Sequence, residues 1–186
     1  MKELTHMSRS GKVKMVDVGM KPVVRREAVA VGKIYLQAKT LELIRKNDIT
    51  KGNVLTTAQI AGIQAAKKTS ELIPLCHGLS LSAIDIDFLL LKAKRSGGGG
   101  FKITARVQIA AQTGVEMEAL CAVSVAALTI YDMCKGVDKK MRISDIKLLS
   151  KSLLIITSFS CHFVIFFIHI ASVSYTHLTL PTNREV

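Results

Sequence analysis

The sequence predicts an α+β fold, an antiparallel sheet with helices packed on one of its faces. Two strands and one helix carry that expectation. In AIDIDF, Ile84, Ile86 and Phe88 alternate with Asp85 and Asp87. In FKITARVQI, Phe101, Ile103, Ala105, Val107 and Ile109 alternate with Lys102, Thr104, Arg106 and Gln108. Such alternation marks strands with one buried face, and the four glycines 97–100 between them make an antiparallel hairpin. The stretch TGVEMEALCAVSVAALTIYDMCKG, residues 113–136, reads as one long helix whose middle is apolar on every side.

The remaining elements follow in chain order. Residues 1–25 are polar and basic and form a loosely ordered arm. VAVGKIYL, 29–36, suggests a strand, and TLELIRKN, at about 40–47, a short helix. DITKGN is a turn, and Asn53 is a fair N-cap for the next helix. In that helix, 54–72, Leu55, Ala58, Ala61, Ala65 and Leu72 fall near helical spacing before Pro74. The hairpin strands occupy 83–94 and 101–110, the long helix 115–135, and a last strand 141–149.

Charge at both ends of the long helix needs a reason. Thr113-x-x-Glu116 matches a capping box, and Lys135 suits the negative end of the helix dipole. Glu118 is explained less well, and Asp132 badly, since an acid near a helix C-terminus is mildly unfavourable. Glu118 and Asp132 share a helix face but lie roughly 21 Å apart along the axis. Either they serve separate structural roles, or two copies meet so that one chain's start faces the other's end. The apolar middle favours burial on more than one side, which a second copy supplies.

The chain has 186 residues and a formal charge of +12. All of that charge sits in 1–152, because Arg184 and Glu185 cancel in the rest. Such a balance points to a polyanionic partner, whether nucleic acid, anionic membrane or phosphorylated small molecule. The lack of Trp and of interleaved basic and aromatic residues argues against base stacking. Cys76, Cys121, Cys134 and Cys161 have no Cys-x-x-Cys spacing, as expected of reduced thiols in a cytoplasmic protein. After Ser152 the character changes. Residues 153–171 hold no Asp, Glu, Lys or Arg and form a transmembrane candidate by hydropathy. His162 and His169 and the missing basic flank speak against a membrane span. The closing VSYTHLTLPTNREV resembles a translated sequencing-library adapter, so 153–186 is read as a tail alien to the domain 1–152, the product of a frameshift or assembly artefact.

Among candidate chemical groups, His77 follows a Pro-containing loop beside Cys76 and suits acid–base work, although such a His is more often structural. Lys51 and Lys67 are each able to bind phosphate, and Lys67 equally to complement a helix end. Gly97–Gly100 lacks the Lys-Ser/Thr pair of a phosphate loop. Together these groups suit a phosphorylated substrate and proton transfer. A non-catalytic basic nucleotide- or nucleic-acid-binding protein is the alternative.

IAGIQAAKKTSELIPLCH (60–77) and TGVEMEALCAVSVAALTIYDMCK (113–135) resemble the two signature blocks of the cyclic pyranopterin monophosphate synthase family, the molybdenum cofactor biosynthesis protein C family. LTH at 4–6, MVDV at 15–18, RREA at 25–28 and KGNV at 51–54 also fit, and the resemblance covers roughly 1–152. It implies a ferredoxin-like fold and a cytoplasmic lyase. That lyase would convert a 3′,8-cyclic dihydroguanosine triphosphate to cyclic pyranopterin monophosphate with release of pyrophosphate. It further implies a homohexamer, a trimer of dimers with active sites at dimer interfaces, and neither nucleic acid nor membrane as partner. Lys51 and Lys135 would be catalytic, with Asp132 beside Lys135. Arg26, Lys67 and His77 would bind the triphosphate, and Glu116 and Glu118 the guanine-derived ring. Cys76 and Met117 would line the substrate. No cofactor is required; Mg²⁺ can accompany the triphosphate, but no cage of hard oxygen ligands is legible. Two departures stand out: Gly78 replaces the usual Pro after the loop His, which should loosen His77. The tail from Leu153 also replaces the family's Gly- and Lys-rich segment.

Overall fold

The computed structural model describes residues 12–92, 98–157 and 164–171. Its central strand is β1 (Val24–Gln37), paired antiparallel with β3 (Gly98–Ala111) on one side and β4 (Arg142–Thr157) on the other. β2 (Ala83–Lys92) lies outside β3 and β5 (Val164–Ala171) outside β4, giving the order β2-β3-β1-β4-β5. α1 (Ala38–Arg45), α2 (Val54–Lys67) and the short α3 (Thr69–Leu72) connect β1 to β2, and α4 (Glu116–Cys134) connects β3 to β4. The chain therefore runs β-α-β-β-α-β through its first four strands, in the ferredoxin-like arrangement. The expected α+β fold with helices on one sheet face is what forms.

The core lies between sheet and helices. Ala28, Ala30, Ile34 and Leu36 of β1 meet Phe101, Ile103, Ala105, Val107 and Ile109 of β3, the apolar set that the alternation singled out. α4 covers them with Ala119, Ala122, Val123, Ala126, Ala127 and Ile130, and α2 lies beside α4. The small residues let the two helices approach closely. A Cβ on Gly62 of α2 would come within 2.8 Å of the Ala122 carbonyl oxygen and 3.3 Å of the Ala126 Cβ. Gly62→Ala is thus expected to lower the unfolding free energy by about 1–3 kcal/mol, the usual cost of overpacking. Denaturant titration measures it, and an unchanged midpoint would mean that α2 can shift outward freely.

Several boundaries differ from expectation for identifiable reasons. β1 begins at Val24, not at 29, and includes Arg25, Arg26 and Glu27. Those charges are tolerated in a central strand because they are paired there. Arg25 donates to Gln108 Oε1 at 3.0 Å, and Gln108 Nε2 donates to Glu27 at 2.6 Å. The glycines 98–100 belong to β3, where Gly100 lies opposite Tyr35, so the hairpin connection falls in 93–97, outside the described residues. The helix expected over 54–72 breaks at Lys68. The hydroxyl of Thr69 bonds back to the carbonyls of Ala65 and Ala66, both at 3.1 Å, and competes for the helical acceptors. Asn53 does cap α2, accepting from the Thr56 amide at 3.0 Å. β4 continues past 149 to Thr157 and pairs with β5, so part of the apolar run 153–171 extends the sheet. α4 meets the length and hydropathy of a membrane span, but half of it is buried within the fold.

Candidate active site

At the C-terminal end of α4, one carboxylate bridges two lysines. Asp132 Oδ1 lies 2.7 Å from Lys135 Nζ, one turn further along the helix. Asp132 Oδ2 lies 2.8 Å from Lys51 Nζ, which also donates to the Asp132 carbonyl at 2.8 Å. Lys51 arrives from the turn before α2, where Gly52 takes a φ of +95° that a side chain would resist. The acid that sat awkwardly near a helix C-terminus is explained by these two cations. Lys135 first, and then Lys51, hold the Asp132 carboxyl down at about 2, and Asp132 in turn raises the Lys135 ammonium above the usual lysine value. The result is an exposed cluster of two positive charges and one negative charge.

The N-terminal end of α4 gathers a second group. Glu118 is buried, 4% exposed. Burial chiefly, with help from Glu116, pushes its carboxyl above the ordinary range, while its own amide and His77 pull it back. Glu116 accepts from Lys151 Nζ of β4 at 2.9 Å. The expected capping box does not form: the helix begins at Glu116 with Val115 as N-cap, so Thr113 and Glu116 do not hold the box positions, and no side chain caps the helix. Arg26 donates to the carbonyls of Ala111 at 3.0 Å and Gln112 at 3.2 Å, close enough to feel Glu116.

His77 is fixed from the other side. Its Nε2 lies 2.9 Å from the carbonyl of Val16. A carbonyl only accepts, so Nε2 carries a proton and Nδ1 is the ring nitrogen left to meet a ligand. The MVDV run thus anchors the His that Gly78 was expected to loosen. Burial pushes the Cys76 thiol up, and Glu118 and Cys121 add to the rise. It is therefore not activated as a nucleophile. Met117 is 38% exposed at the same end. Lys67 is exposed at the last turn of α2. Because α2 starts beside Asp132 and crosses α4 at Ala122, it runs antiparallel to α4 and carries Lys67 toward Glu118.

Arg26, Lys67, Cys76, His77, Glu116, Met117 and Glu118 therefore share one end, and Lys51, Asp132 and Lys135 the other. Their roughly 21 Å separation is set by the helix. Sequence reasoning missed Lys151 and the Val16 carbonyl. Lys151 lies at the end of the domain 1–152, beyond the last strand read at 141–149, and no sequence pattern marks a backbone acceptor. Among the described residues, no three His, Cys, Asp or Glu side chains come together as a metal site.

The MoaC family matches residues 15–153 of the chain. A cyclic pyranopterin monophosphate synthase of Chloroflexus aggregans is 52% identical over 149 residues, covering 80% of this chain and 88% of that protein. The synthase of Heliobacterium modesticaldum is 51% identical over 152 residues, 82% of this chain and 93% of that protein. A molybdenum cofactor biosynthesis bifunctional protein of Chlorobaculum tepidum is 56% identical over 146 residues, 78% of this chain and 45% of that longer protein.

Proposed function

We propose, from the premise that the chain belongs to the MoaC family, that the charged ends of α4 are two halves of one active site, joined between two copies of the chain. The relatives bear the name cyclic pyranopterin monophosphate synthase, and this chain is a lyase of molybdenum cofactor biosynthesis. Its substrate on this reading is the 3′,8-cyclic dihydroguanosine triphosphate, rearranged to cyclic pyranopterin monophosphate as pyrophosphate leaves. The observation that carries the proposal is the Asp132 carboxylate bridged by Lys51 and Lys135.

Two ammonium groups that close repel each other, and Asp132 offsets the repulsion. Lys135 then stays protonated at neutral pH as a positioned general acid, and Lys51 stabilises developing negative charge. Arg26, Lys67 and His77 take the triphosphate, with any Mg²⁺ entering on it. Glu116 and Glu118 face the guanine-derived ring, and burial lets Glu118 hold a proton more readily than an ordinary carboxyl. An exposed stripe on α4, from Met117 to Leu128 (58% exposed) and Asp132, leaves room for the second copy, which we take to be one of six in a trimer of dimers. The reaction belongs to the domain 1–152, and residues 153–186 are assigned no part in it.

The test is to supply the purified chain with the cyclic guanosine triphosphate derivative and follow pyrophosphate and pterin together. Both are expected in equal amounts. Binding that weakens steeply with salt, with neither product formed, would instead establish a basic nucleotide-binding protein.

Glu116 offers a finer check. A Cβ on Gly114 would strike the Glu116 carboxylate, which folds back over that glycine. The obstacle is the end of a flexible side chain, so Gly114→Ala should leave stability within about 0.5 kcal/mol. It should also push Glu116 off Lys151 and raise KM. A KM equal to that of the parent would remove Glu116 from substrate binding.

A further inference from the structure

The three charged groups at the C-terminal end of α4 are 49–60% exposed. Ion pairs so exposed constrain little by themselves. Their spacing must come from the backbone that carries them, and that backbone is held by a buried carboxylate. Asp138 is 1% exposed. Its Oδ2 accepts from the Gln37 amide at 2.8 Å and the Thr40 hydroxyl at 3.0 Å, and its Oδ1 from the Lys140 amide at 2.9 Å. Its own amide donates to the Cys134 carbonyl at 3.0 Å. Thr40, also 1% exposed, sits in α1, and α1 leads through the buried Ile49 to Lys51.

We propose that Asp138 is a positioning residue for the Lys51–Asp132–Lys135 cluster, tying the turn just after Lys135 to the β1–α1 corner that leads to Lys51. A carboxylate suits this place because every group it meets is a donor. An amide there would turn an NH₂ toward another N–H and leave a buried donor unpaired. The inference rests on the function proposed above.

The experiment compares Asp138→Asn with the parent by kcat, KM, melting temperature and the titration of the Asp132 carboxyl followed by carbon NMR. A small displacement of reacting groups costs up to about 100-fold. Asp138→Asn is therefore expected to lower kcat roughly 10–100-fold with KM nearly unchanged. The Asp132 midpoint should rise from about 2 toward the ordinary carboxylate range. Adding Asp138→Asn to Asp132→Asn should slow the reaction little further, because both act on one cluster. A lower melting temperature with unchanged kcat and an unchanged Asp132 midpoint would overturn the proposal. Should Asp138→Asn fail to fold, Thr40→Val removes a single donor and must shift kcat and the Asp132 midpoint in the same directions. If the parent makes no pterin, the functional reading falls, and the Asp132 titration alone still decides whether Asp138 positions the cluster.

Discussion

Lys135→Ala is expected to cut pterin formation by at least about 100-fold, the contribution of a positioned proton donor or of one preorganised charge. Lys51→Ala should do the same, because each lysine holds one oxygen of Asp132. Lys135→Arg separates two roles. Arg keeps the charge but does not release a proton in the accessible pH range, so rescue by Arg means electrostatic stabilisation and failure means proton transfer. The pH dependence has a definite sign. Lys135 is raised above its usual value by Asp132, so its protonated form persists beyond the ordinary lysine range and gives no basic limb below it. Asp132→Asn removes that support and should move the basic limb to lower pH. Asp132 itself is depressed to about 2. Its stabilisation is present above the ordinary carboxylate pKa and is lost as pH falls toward 2, so it supplies no acid limb near neutrality. Glu118 runs the other way. Its raised pKa makes the folded state the better proton binder, so stability declines as pH climbs through its folded value. Steady-state assays across pH, with the four variants in parallel, decide the activity limbs, and thermal unfolding across pH decides the two stability trends.

How much of this was legible depends on where the physics is local. β2 and β3 were readable because each has one buried face, and alternation records that directly. The start of β1 was not, because a central strand with Arg25, Arg26 and Glu27 breaks the pattern. Arg25 and Glu27 are hydrogen-bonded by Gln108, and Glu27 pairs with Arg106, both more than 75 residues away in sequence. The split between α2 and α3 hangs on one hydroxyl, that of Thr69. Apolar residues rich in Ile, Phe and Val satisfy the hydropathy of a membrane helix and the propensity of a strand equally well. The run after Ser152 is such a case, and its backbone pairs as β4 and β5.

The candidate site divides in the same way. Asp132 stood out as an acid at the wrong end of a helix, a local conflict that proved to be paired with two lysines. The capping box at Thr113 was locally persuasive and did not form, because the helix starts at Glu116, whose carboxylate pairs with Lys151 of β4. Glu118 was already explained less well by the helix dipole, and only packing shows it buried. Asp138 carried no signal at all. Its three donors are backbone amides of Gln37 and Lys140 and the Thr40 hydroxyl, and no spacing rule joins them.

Mixing two inactive variants, Lys135→Ala and Glu118→Gln, is expected to restore activity. The reason is the length of α4: one helix keeps Glu118 and Lys135 at opposite ends, so a compact site can use both only from different chains. In a two-fold dimer each copy gives its helix start to one site and its helix end to the other. A mixed dimer then holds one site with both defects and one site with neither. Random assembly makes half of the dimers mixed, so about a quarter of all sites should be intact after co-refolding. Each variant alone should stay at its own low level, and the regained activity should show the parent's KM, since the intact sites are unaltered. If each chain instead built its site alone, every site in the mixture would carry one defect and nothing would be regained at any ratio. The ratio dependence adds a further constraint. Activity should peak at equal amounts and fall symmetrically on either side, which separates subunit exchange from partial refolding of one variant.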